Sequence, residues 1–253
     1  MTKLGIIGGS GLDSPDILSH SSMVKVTTPY GPPSSIITQG TINGIEVALL
    51  ARHGTKHELS PTQVNYRANI KAFQYLKCTH IIATTACGSL REEIGRGDFV
   101  IPDQFIDFTR HRTITYFDSF EEGAKHTAMA DPFDEDLRKR LTGAAREFGF
   151  RTHDRGTVIT IEGPRFSTRA ESNMFRMWGG DIINMSVAPE AVLANEVEIP
   201  YAAIAMSTDY DCWKTDEEPV TWDEILEVFN KNSANVKKVL VAVAETLGAD
   251  QAN

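Results

Sequence analysis

Two aspartates separated by a single residue, Asp209 and Asp211, follow an apolar run over residues 201–208. The run has no charged residue and begins after Pro200, which is typical of a strand buried on both faces. In open α/β sheets, ligands bind outside the carboxyl ends of such strands. Two carboxylates there could accept hydrogen bonds from a small molecule, although the same residues could also form a solvated acidic turn.

Hydroxyl-bearing and basic residues stand at the ends of other predicted strands. They are Ser10, Arg52, His53, Thr85 and Ser186. A parallel sheet gathers the carboxyl ends of its strands at one edge, and a guanidinium with hydroxyls suits a phosphate or carboxylate. The set therefore predicts one basic, hydroxyl-lined pocket for an oxyanion, with the two aspartates on its rim.

Several familiar motifs are excluded. The glycine-rich turn over residues 8–11 lacks the third glycine of a dinucleotide fingerprint and the Gly-Lys-Ser/Thr of a Walker loop. No Gly-x-Ser-x-Gly elbow occurs, and Cys87 has no adjacent base, so neither a nucleophilic serine nor a nucleophilic cysteine is predicted. His53 and His57 have the spacing of helical metal ligands, but Gly54 disfavours a helix there, so we expect no metal site.

The composition is that of an ordinary globular protein of 253 residues, with 41% hydrophobic and 23% charged residues. A formal net charge of −9 argues against binding to nucleic acid or to an anionic membrane. No apolar run reaches the length of a membrane-spanning helix, and the N-terminus lacks a signal-peptide pattern. Three widely spaced cysteines fit free thiols, so we expect a cytoplasmic protein.

Hydrophobic periodicity predicts strands that alternate with helices from end to end. The predicted strands are 4–7, 24–31, 35–40, 45–52, 81–85, 157–161, 181–184 and 201–208, and residues 99–106 are predicted to form one strand or a pair of strands. The predicted helices are one of about 16 residues from an N-cap at Ser60, one ending at Gly149, 168–178, 189–197, and a long C-terminal helix opened by a capping box of Thr221 with Glu224. This alternation predicts a single α/β domain over residues 1–253.

Taken together, these residues resemble the trimeric purine nucleoside phosphorylase family, in its methylthioadenosine phosphorylase branch. The resemblance runs in collinear order over nearly the whole chain. The matching stretches are residues 5–12, 50–54, 64–69, 84–93, 103–107, 161–167, 169–171, 184–185, 189–190 and 208–214.

The resemblance implies a central mixed β-sheet flanked by helices and a reversible phosphorolysis. S-methyl-5′-thioadenosine and phosphate would give adenine and 5-methylthioribose 1-phosphate, in purine and methionine salvage. Phosphate would be the co-substrate, without metal or organic cofactor. Phosphate would be held by Ser10, Arg52, His53, Thr85, Ser186 and the Ala86 amide. Met185 would touch the ribose hydroxyls, Phe166 would pack on the purine beside Ser167, Asp209 would serve N7 and Asp211 the 6-amino group.

For the 5′ group, the resemblance implies an apolar wall at Ile225 and Leu226. His57 and His126 would lie near the same group, with His126 contributed by the neighbouring subunit of a homotrimer. Three features depart from the family pattern. Serines 10 and 186 stand where the better-known animal enzyme has threonines, Trp222 replaces a smaller apolar residue, and the chain ends at Asn253, short of longer relatives. A more open 5′ pocket is the expected consequence.

Two alternatives stay open from the sequence. A 6-oxopurine nucleoside phosphorylase would be expected to carry an amide such as Asn at position 211, where this chain has Asp. A non-catalytic nucleoside-binding protein would need no phosphate pocket, which Arg52, His53 and Thr85 speak against. A dehydrogenase is disfavoured by the missing third glycine.

Overall fold

A computed structural model describes residues 2–9, 15–121, 123–216 and 221–249, without the side chains of 15, 222–226 and 229–231. The strands are β1 (Lys3–Gly8), β2 (Ser19–Val24), β3 (Ile37–Ile42), β4 (Ile45–Ala51), β5 (His80–Ser89), β6 (Phe99–Val100), β7 (Gln104–Phe108), β8 (Thr152–His153), β9 (Thr157–Ile161), β10 (Ile182–Asn184) and β11 (Tyr201–Tyr210). The helices are α1 (Tyr66–Tyr75), α2 (Glu135–Glu147), α3 (Arg169–Met177), α4 (Val187–Glu196) and α5 (Trp222–Ala249), with a 3-10 turn at Pro15–Ile17.

All these strands belong to one mixed sheet. Its main order is β2-β3-β4-β1-β5-β10-β9-β7, and β11 pairs with the other edge of β5 and with β6. Strands β1, β4, β5 and β11 are mutually parallel, whereas β10 runs antiparallel to β5. One face packs on α1 and α4 and the other on α2 and α5. The predicted α/β fold with a central mixed sheet is confirmed.

Strand β5 changes its partner along one edge, and this break positions the site. Strand β1 pairs with β5 as far as Ala83, and β10 takes over at Gly88. Among the described residues no strand therefore lies beside 84–87 on that edge, while β11 pairs along the other edge as far as Ser89. The sequence placed the end of this strand at Thr85, but the strand runs on to Ser89 because β11 supports it.

Two predicted elements near the N-terminal half were wrong. The strand expected over residues 24–31 is instead β2 at Ser19–Val24, a polar and exposed edge strand that leaves no buried period-two pattern to detect. The helix expected from Ser60 begins at Tyr66, because the Asn65 side chain caps it by accepting from the Ala68 amide. The intervening residues form turns, in which the Gln63 and Val64 amides donate to the Ser60 carbonyl.

The C-terminal part agrees with the pattern. Helix α5 begins at Trp222 as expected, although the Glu224 side chain of the predicted capping box lies outside the described residues. None of the helices in the described ranges is long and apolar enough to cross a membrane. The extension of the domain over all of 1–253 stays a prediction.

Candidate active site

A cavity of about 560 Å³ opens where the partner of β5 changes. It is walled by the segments after β4, β9 and β10, by the middle of β5 and by the end of β11. One end carries Arg52, His53, Thr85 and Ser186, and the other carries the carboxylates of Asp209 and Asp211. The residues predicted from separate strands therefore share one cavity.

Arg52 is buried and fixed by a carboxylate that the sequence analysis had given no role. Its Nε donates to Glu190 Oε1 at 2.5 Å, and a terminal nitrogen donates to Glu190 Oε2 at 3.0 Å. The other terminal nitrogen donates to the Thr84 carbonyl at 2.9 Å, at the break in the sheet. A guanidinium has five N–H groups, so these three bonds leave two for a ligand.

Glu190 is itself fully buried and also accepts from the Tyr201 hydroxyl at 2.9 Å. The Glu190 carboxylate keeps the Arg52 guanidinium protonated by raising its pKa, against the opposing effect of burial. The same carboxylate offsets the charge of Arg52. The phosphate end is thus less cationic than the sequence suggested, and it depends more on oriented donors than on net charge.

His53 lies beside Arg52 and is neutral at pH 7. Burial, together with the Arg52 charge, lowers the pKa of His53 to about 4. Its Nδ1 lies 2.9 Å from the Leu59 carbonyl, which only accepts, so Nδ1 carries the proton. In the neutral ring Nε2 is then an acceptor, suited to a protonated oxygen of a phosphate ion.

The open edge of β5 supplies backbone donors. On the side of β5 that faces β1 and β10, the Thr84 carbonyl accepts from the Arg52 guanidinium. On the same side, the Leu90 amide donates to the Asp181 carbonyl. Backbone groups of alternate residues share an edge of a strand, so the Ala86 amide faces the same opening. This orientation agrees with the role expected for Ala86. The adjacent Thr85 hydroxyl donates to the Ala86 carbonyl at 2.9 Å and accepts from Asn184 at 3.3 Å.

Ser186 is the N-cap residue of α4, but its hydroxyl makes no capping hydrogen bond. The Ala188 amide of the first turn donates instead to the Thr160 hydroxyl. A helix N-terminus favours anions through its unpaired amides and its dipole. In α4, however, the Ala188 amide is already bonded and Pro189 has no N–H, so the helix contributes its dipole at this end of the cavity rather than these two donors.

Met185 lies between the two ends, and its backbone is fixed from two sides. Its carbonyl accepts from the Arg112 guanidinium at 3.0 Å and from the Tyr66 hydroxyl at 3.3 Å. Gly163 has a φ of +67°, and a Cβ there would lie only 2.4 Å from Met185 Sδ. Glycine at 163 thus permits both the turn and the approach of the methionine side chain.

A bulge in β11 directs Asp209 toward the cavity. Ser207 pairs with Cys87 and Asp209 with Gly88, so Thr208 is the extra residue. The Thr208 hydroxyl donates to Asp209 Oδ1 at 2.7 Å and fixes the carboxylate. Gly88 leaves room for this arrangement, since a Cβ there would approach Asp209 Oδ2 to 3.2 Å.

Asp211 is also buried but is less fully bonded. Burial raises the pKa of Asp211. Within the part of the chain that the structure describes, Asp211 Oδ2 has no hydrogen-bond partner. A buried acceptor of this kind is costly unless a ligand donates to it. Phe166, 46% exposed, lines the same end as Ser167 and offers an aromatic face.

Comparison with known proteins identifies the family. The phosphorylase superfamily model matches residues 3–245. The S-methyl-5′-thioadenosine phosphorylase of Drosophila melanogaster is 51% identical over 94% of this chain and 84% of its own length. That of Danio rerio is 51% identical over 94% and 86%.

The chain belongs to the phosphorylase superfamily, in the S-methyl-5′-thioadenosine phosphorylase family. The structure of methylthioadenosine phosphorylase from Schistosoma mansoni in complex with adenine agrees in fold, with a TM-score of 0.93. It is 42% identical, and the match covers 98% of this chain and 93% of that chain. A variant of the adenosine/methylthioadenosine phosphorylase from the same organism, in complex with methylthioadenosine, gives a TM-score of 0.92 at 41% identity. The resemblance inferred from the sequence is confirmed.

Most residues that the phosphorylase pattern singled out line the cavity. They are Arg52, His53, His57, Thr85, Ala86, Phe166, Ser167, Met185, Ser186, Asp209 and Asp211. Thr85 lies within β5 rather than at its end, so it reaches the cavity through the gap beside the strand. His57 is exposed at the rim and stacks on His53, with ring centroids 4.7 Å apart.

His126 does not line the cavity of its own chain. It is exposed and makes an edge contact with Phe120. Ser10 lies outside the described residues, as do the side chains of Trp222, Ile225 and Leu226. Their expected roles, and that of His126 in a neighbouring subunit, stay predictions. Among the described residues no group of three or more His, Cys, Asp and Glu side chains could hold a metal ion.

The sequence analysis missed the residues that support the lining. Glu190 is the one carboxylate among the apolar residues 187–194, and a lone charge in an otherwise apolar helix signals a buried ion pair. Arg112 makes a similar network with Glu162, at 3.0 Å, and with the Tyr66 hydroxyl, at 2.6 Å. Its signal in the sequence is weaker, because it lies in a long segment without regular structure.

We expect Glu190→Gln to lower the free energy of unfolding by about 3–5 kcal/mol, because it leaves the buried Arg52 guanidinium without its counter-charge. Urea denaturation of the two proteins measures this difference. Asp154→Asn is the matched control, since its pair with Arg146 is exposed on both sides and should be worth under about 1 kcal/mol. Equal losses in the two variants would contradict the assigned role of Glu190.

Acid should weaken the fold through His53. Its pKa is about 4 in the folded chain and about 6.5 in the unfolded chain, which takes up the proton first as pH falls. The free energy of unfolding should therefore fall between pH 6.5 and 4, by up to about 3 kcal/mol from this residue. Denaturation at several pH values should show a shallower fall for His53→Gln. The exposed His111→Gln should keep the wild-type slope, and an unchanged slope for His53→Gln would refute the assignment.

Proposed function

We propose that this protein catalyses the reversible phosphorolysis of S-methyl-5′-thioadenosine, giving adenine and 5-methylthioribose 1-phosphate. The observation that carries the proposal is a single cavity with oriented anion donors at one end and two buried carboxylates at the other. The named activity of relatives about 50% identical over nearly the whole chain supports it. The reaction would serve purine and methionine salvage.

Inorganic phosphate is the proposed co-substrate. Two N–H groups of Arg52, the Ala86 amide and the side chains of Thr85 and Ser186 lie at the end where it would bind. His53 Nε2 would accept a proton from phosphate, or take one up when the dianion binds. Ser10 would complete the set.

Cleavage of the glycosidic bond builds positive charge on the sugar and negative charge on the departing base. Phosphate next to the sugar stabilises the first charge and attacks the anomeric carbon. Met185, held by Arg112 and Tyr66, would contact the ribose hydroxyls. Asp209, oriented by Thr208, shares a proton with N7 and relieves the second charge as a general acid.

Asp211 selects the base. As a carboxylate it accepts from an exocyclic amine and repels a 6-keto oxygen. The position of Asp211 in the cavity lining, beside Asp209 and Phe166, supports this role. A buried acceptor left unpaired by the wrong base can discriminate by a factor of about 10⁴ or more.

A phosphate-dependent adenine-release assay tests the function. We expect release from methylthioadenosine, slower release from adenosine and little release of hypoxanthine from inosine. Preference for inosine would show that a 6-oxopurine phosphorylase is the correct function. Binding of nucleoside without release of base, with phosphate present, would favour a binding protein.

Replacement of Asp211 by Asn should shift preference toward 6-oxopurines, because an amide can donate to the keto oxygen. The ratio of kcat/KM for inosine to that for adenosine measures the shift. Asp209→Asn is the matched control, since it should lower kcat/KM for inosine and for adenosine by a similar factor. A selectivity that stays at the wild-type value in Asp211→Asn would show that base choice lies elsewhere.

A homotrimer in the cytoplasm is the proposed working form, with His126 completing the 5′ site of a neighbouring subunit. Support comes from the exposed position of His126 away from its own cavity and from the three free cysteines. Light scattering should give the mass of three chains. A monomer with full activity would remove His126 from the site.

A further inference from the structure

The turn over residues 95–98 supports β11 on the edge away from β5, at the point where the bulge begins. Strand β6, which follows this turn, pairs antiparallel with the middle of β11. The turn extends that support by one residue, because the Ser207 amide donates to the Asp98 carbonyl at 2.9 Å and the Gly97 amide donates to the Ser207 carbonyl at 2.7 Å. The extra residue of the bulge, Thr208, comes directly after this doubly bonded residue.

The carboxylate of Asp98 closes the 95–98 turn. Its Oδ2 accepts from the Gly95 amide at 2.9 Å, and the Asp98 amide donates back to the Gly95 carbonyl at 3.1 Å. Gly97 has a φ of +86°, a conformation that favours glycine. The buried carboxylate also lies 2.9 Å from His153 Nε2 and 3.2 Å from Arg151 Nε. The turn is therefore fixed to β8 and the residue before it.

The register of β11 decides which way Asp209 points. Residues two apart on a regular strand share a face, and a shift of one residue sends a side chain to the opposite face. Asp209 lines the cavity, whereas Ser207 does not. The bulge produces this difference, since it places Asp209 opposite Gly88. Without the bulge, Thr208 would take that position, and Asp209 would share the face of Ser207, away from the cavity.

The second acid is anchored independently of the turn. The Asp211 amide donates to the Ser89 carbonyl at 3.1 Å, and the Trp213 indole donates to the same carbonyl at 2.8 Å. The bulge thus lies between two fixed points, Ser207 on one side and Asp211 on the other. Loosening of the 95–98 turn releases the first point only, so it should displace Asp209 more than Asp211.

We propose that Asp98 is a positioning residue for the leaving-group acid. It closes the 95–98 turn, the turn holds Ser207, and the bulge that follows directs Asp209 toward N7 of the purine. The inference rests on the proposed function. Asp98 lies outside the cavity lining, so it acts through Asp209 and does not touch the substrate.

The first test compares the kinetics of wild type, Asp98→Ala and Asp98→Asn with methylthioadenosine. Asp98→Ala removes the acceptor of the Gly95 amide and should lower kcat by about tenfold, because a displaced general acid loses part of its contribution. The KM for phosphate should stay at the wild-type value, since the turn makes no bond to Arg52. Asp98→Asn keeps a side-chain oxygen for the Gly95 amide and should recover most of kcat.

A binding measurement with 7-deazaadenine tests the link to Asp209. This analogue has carbon in place of N7, so it cannot share a proton with Asp209. Wild type should bind adenine about tenfold more tightly than 7-deazaadenine in calorimetry. The ratio should fall toward that of Asp209→Ala in Asp98→Ala. The preference for adenine over hypoxanthine should stay unchanged, because Asp211 keeps its own anchor.

Asp103→Ala is the matched control. The Asp103 carboxylate also fixes a loop by accepting from a backbone amide, that of Gly156 at 2.9 Å, and it too lies outside the cavity lining. It should keep the wild-type kcat and the wild-type ratio of affinities. Gly97→Ala strains the same turn without touching the carboxylate, so it should give the same loss as Asp98→Ala on a smaller scale.

Two results would overturn the inference. One is a folded Asp98→Ala or Gly97→Ala protein with wild-type kcat and an unchanged ratio of adenine to 7-deazaadenine affinity. The other is an equal loss of affinity for both bases, which marks a merely structural role. If wild type releases no adenine, the proposed function fails, while the affinity ratio still tests Asp98. Equal binding of the two bases by wild type would also overturn the inference.

Discussion

Strand β5 loses one neighbour before it gains the next, and the site depends on this interruption. In the part of the chain that the structure describes, no strand pairs with one edge of β5 between Ala83 and Gly88. Buried backbone groups must find partners, so this stretch has to be satisfied by something other than a ladder. The Arg52 guanidinium donates to the Thr84 carbonyl, the Gly9 amide donates to the Thr84 hydroxyl at 3.0 Å, and Ala86 lines the cavity. An oxyanion ligand would therefore accept from donors that the interruption of the sheet leaves open.

The choice of Arg52 for this position creates a second requirement. A buried guanidinium is tolerable only with a counter-charge in good geometry, and Glu190 supplies it with help from Tyr201. The pair is rigid and nearly neutral, so phosphate would meet fixed donors rather than an excess of positive charge. This arrangement suits a reaction in which phosphate must stay nucleophilic, because a strongly cationic pocket would hold the anion in its ground state.

A residue of this site could be predicted from the sequence when its role leaves a local pattern, and could not when its role depends on distant partners. Asp209 and Asp211 were noticeable because two carboxylates follow an apolar run, but a solvated turn stayed possible until the other strand ends and the family resemblance were considered. The α/β alternation was identifiable from periodicity. The position of Thr85 within β5 could not be identified from the sequence. Its exposure to the cavity depends on which strands pair with β5, and pairing between distant segments leaves no local pattern in the sequence. Glu190 and Arg112 escaped for a related reason. Their partners lie 138 and 50 residues away, respectively, and only the fold brings each pair together.

Two acids on one strand end acquire different chemistry from their surroundings. The bulge at Ser207–Asp209 shifts the register, so Asp209 lies over Gly88 and is bonded by its own neighbour Thr208. Asp211, two residues on, is also buried, burial raises its pKa, and among the described residues its Oδ2 has no hydrogen-bond partner. Environments that differ in this way let two identical carboxyl groups serve as an acid and as an acceptor. Because the bulge and Thr208 fix Asp209 and not Asp211, the residues that would assist departure of the base are separate from the residue that would choose it, so base preference could change without loss of the leaving-group acid.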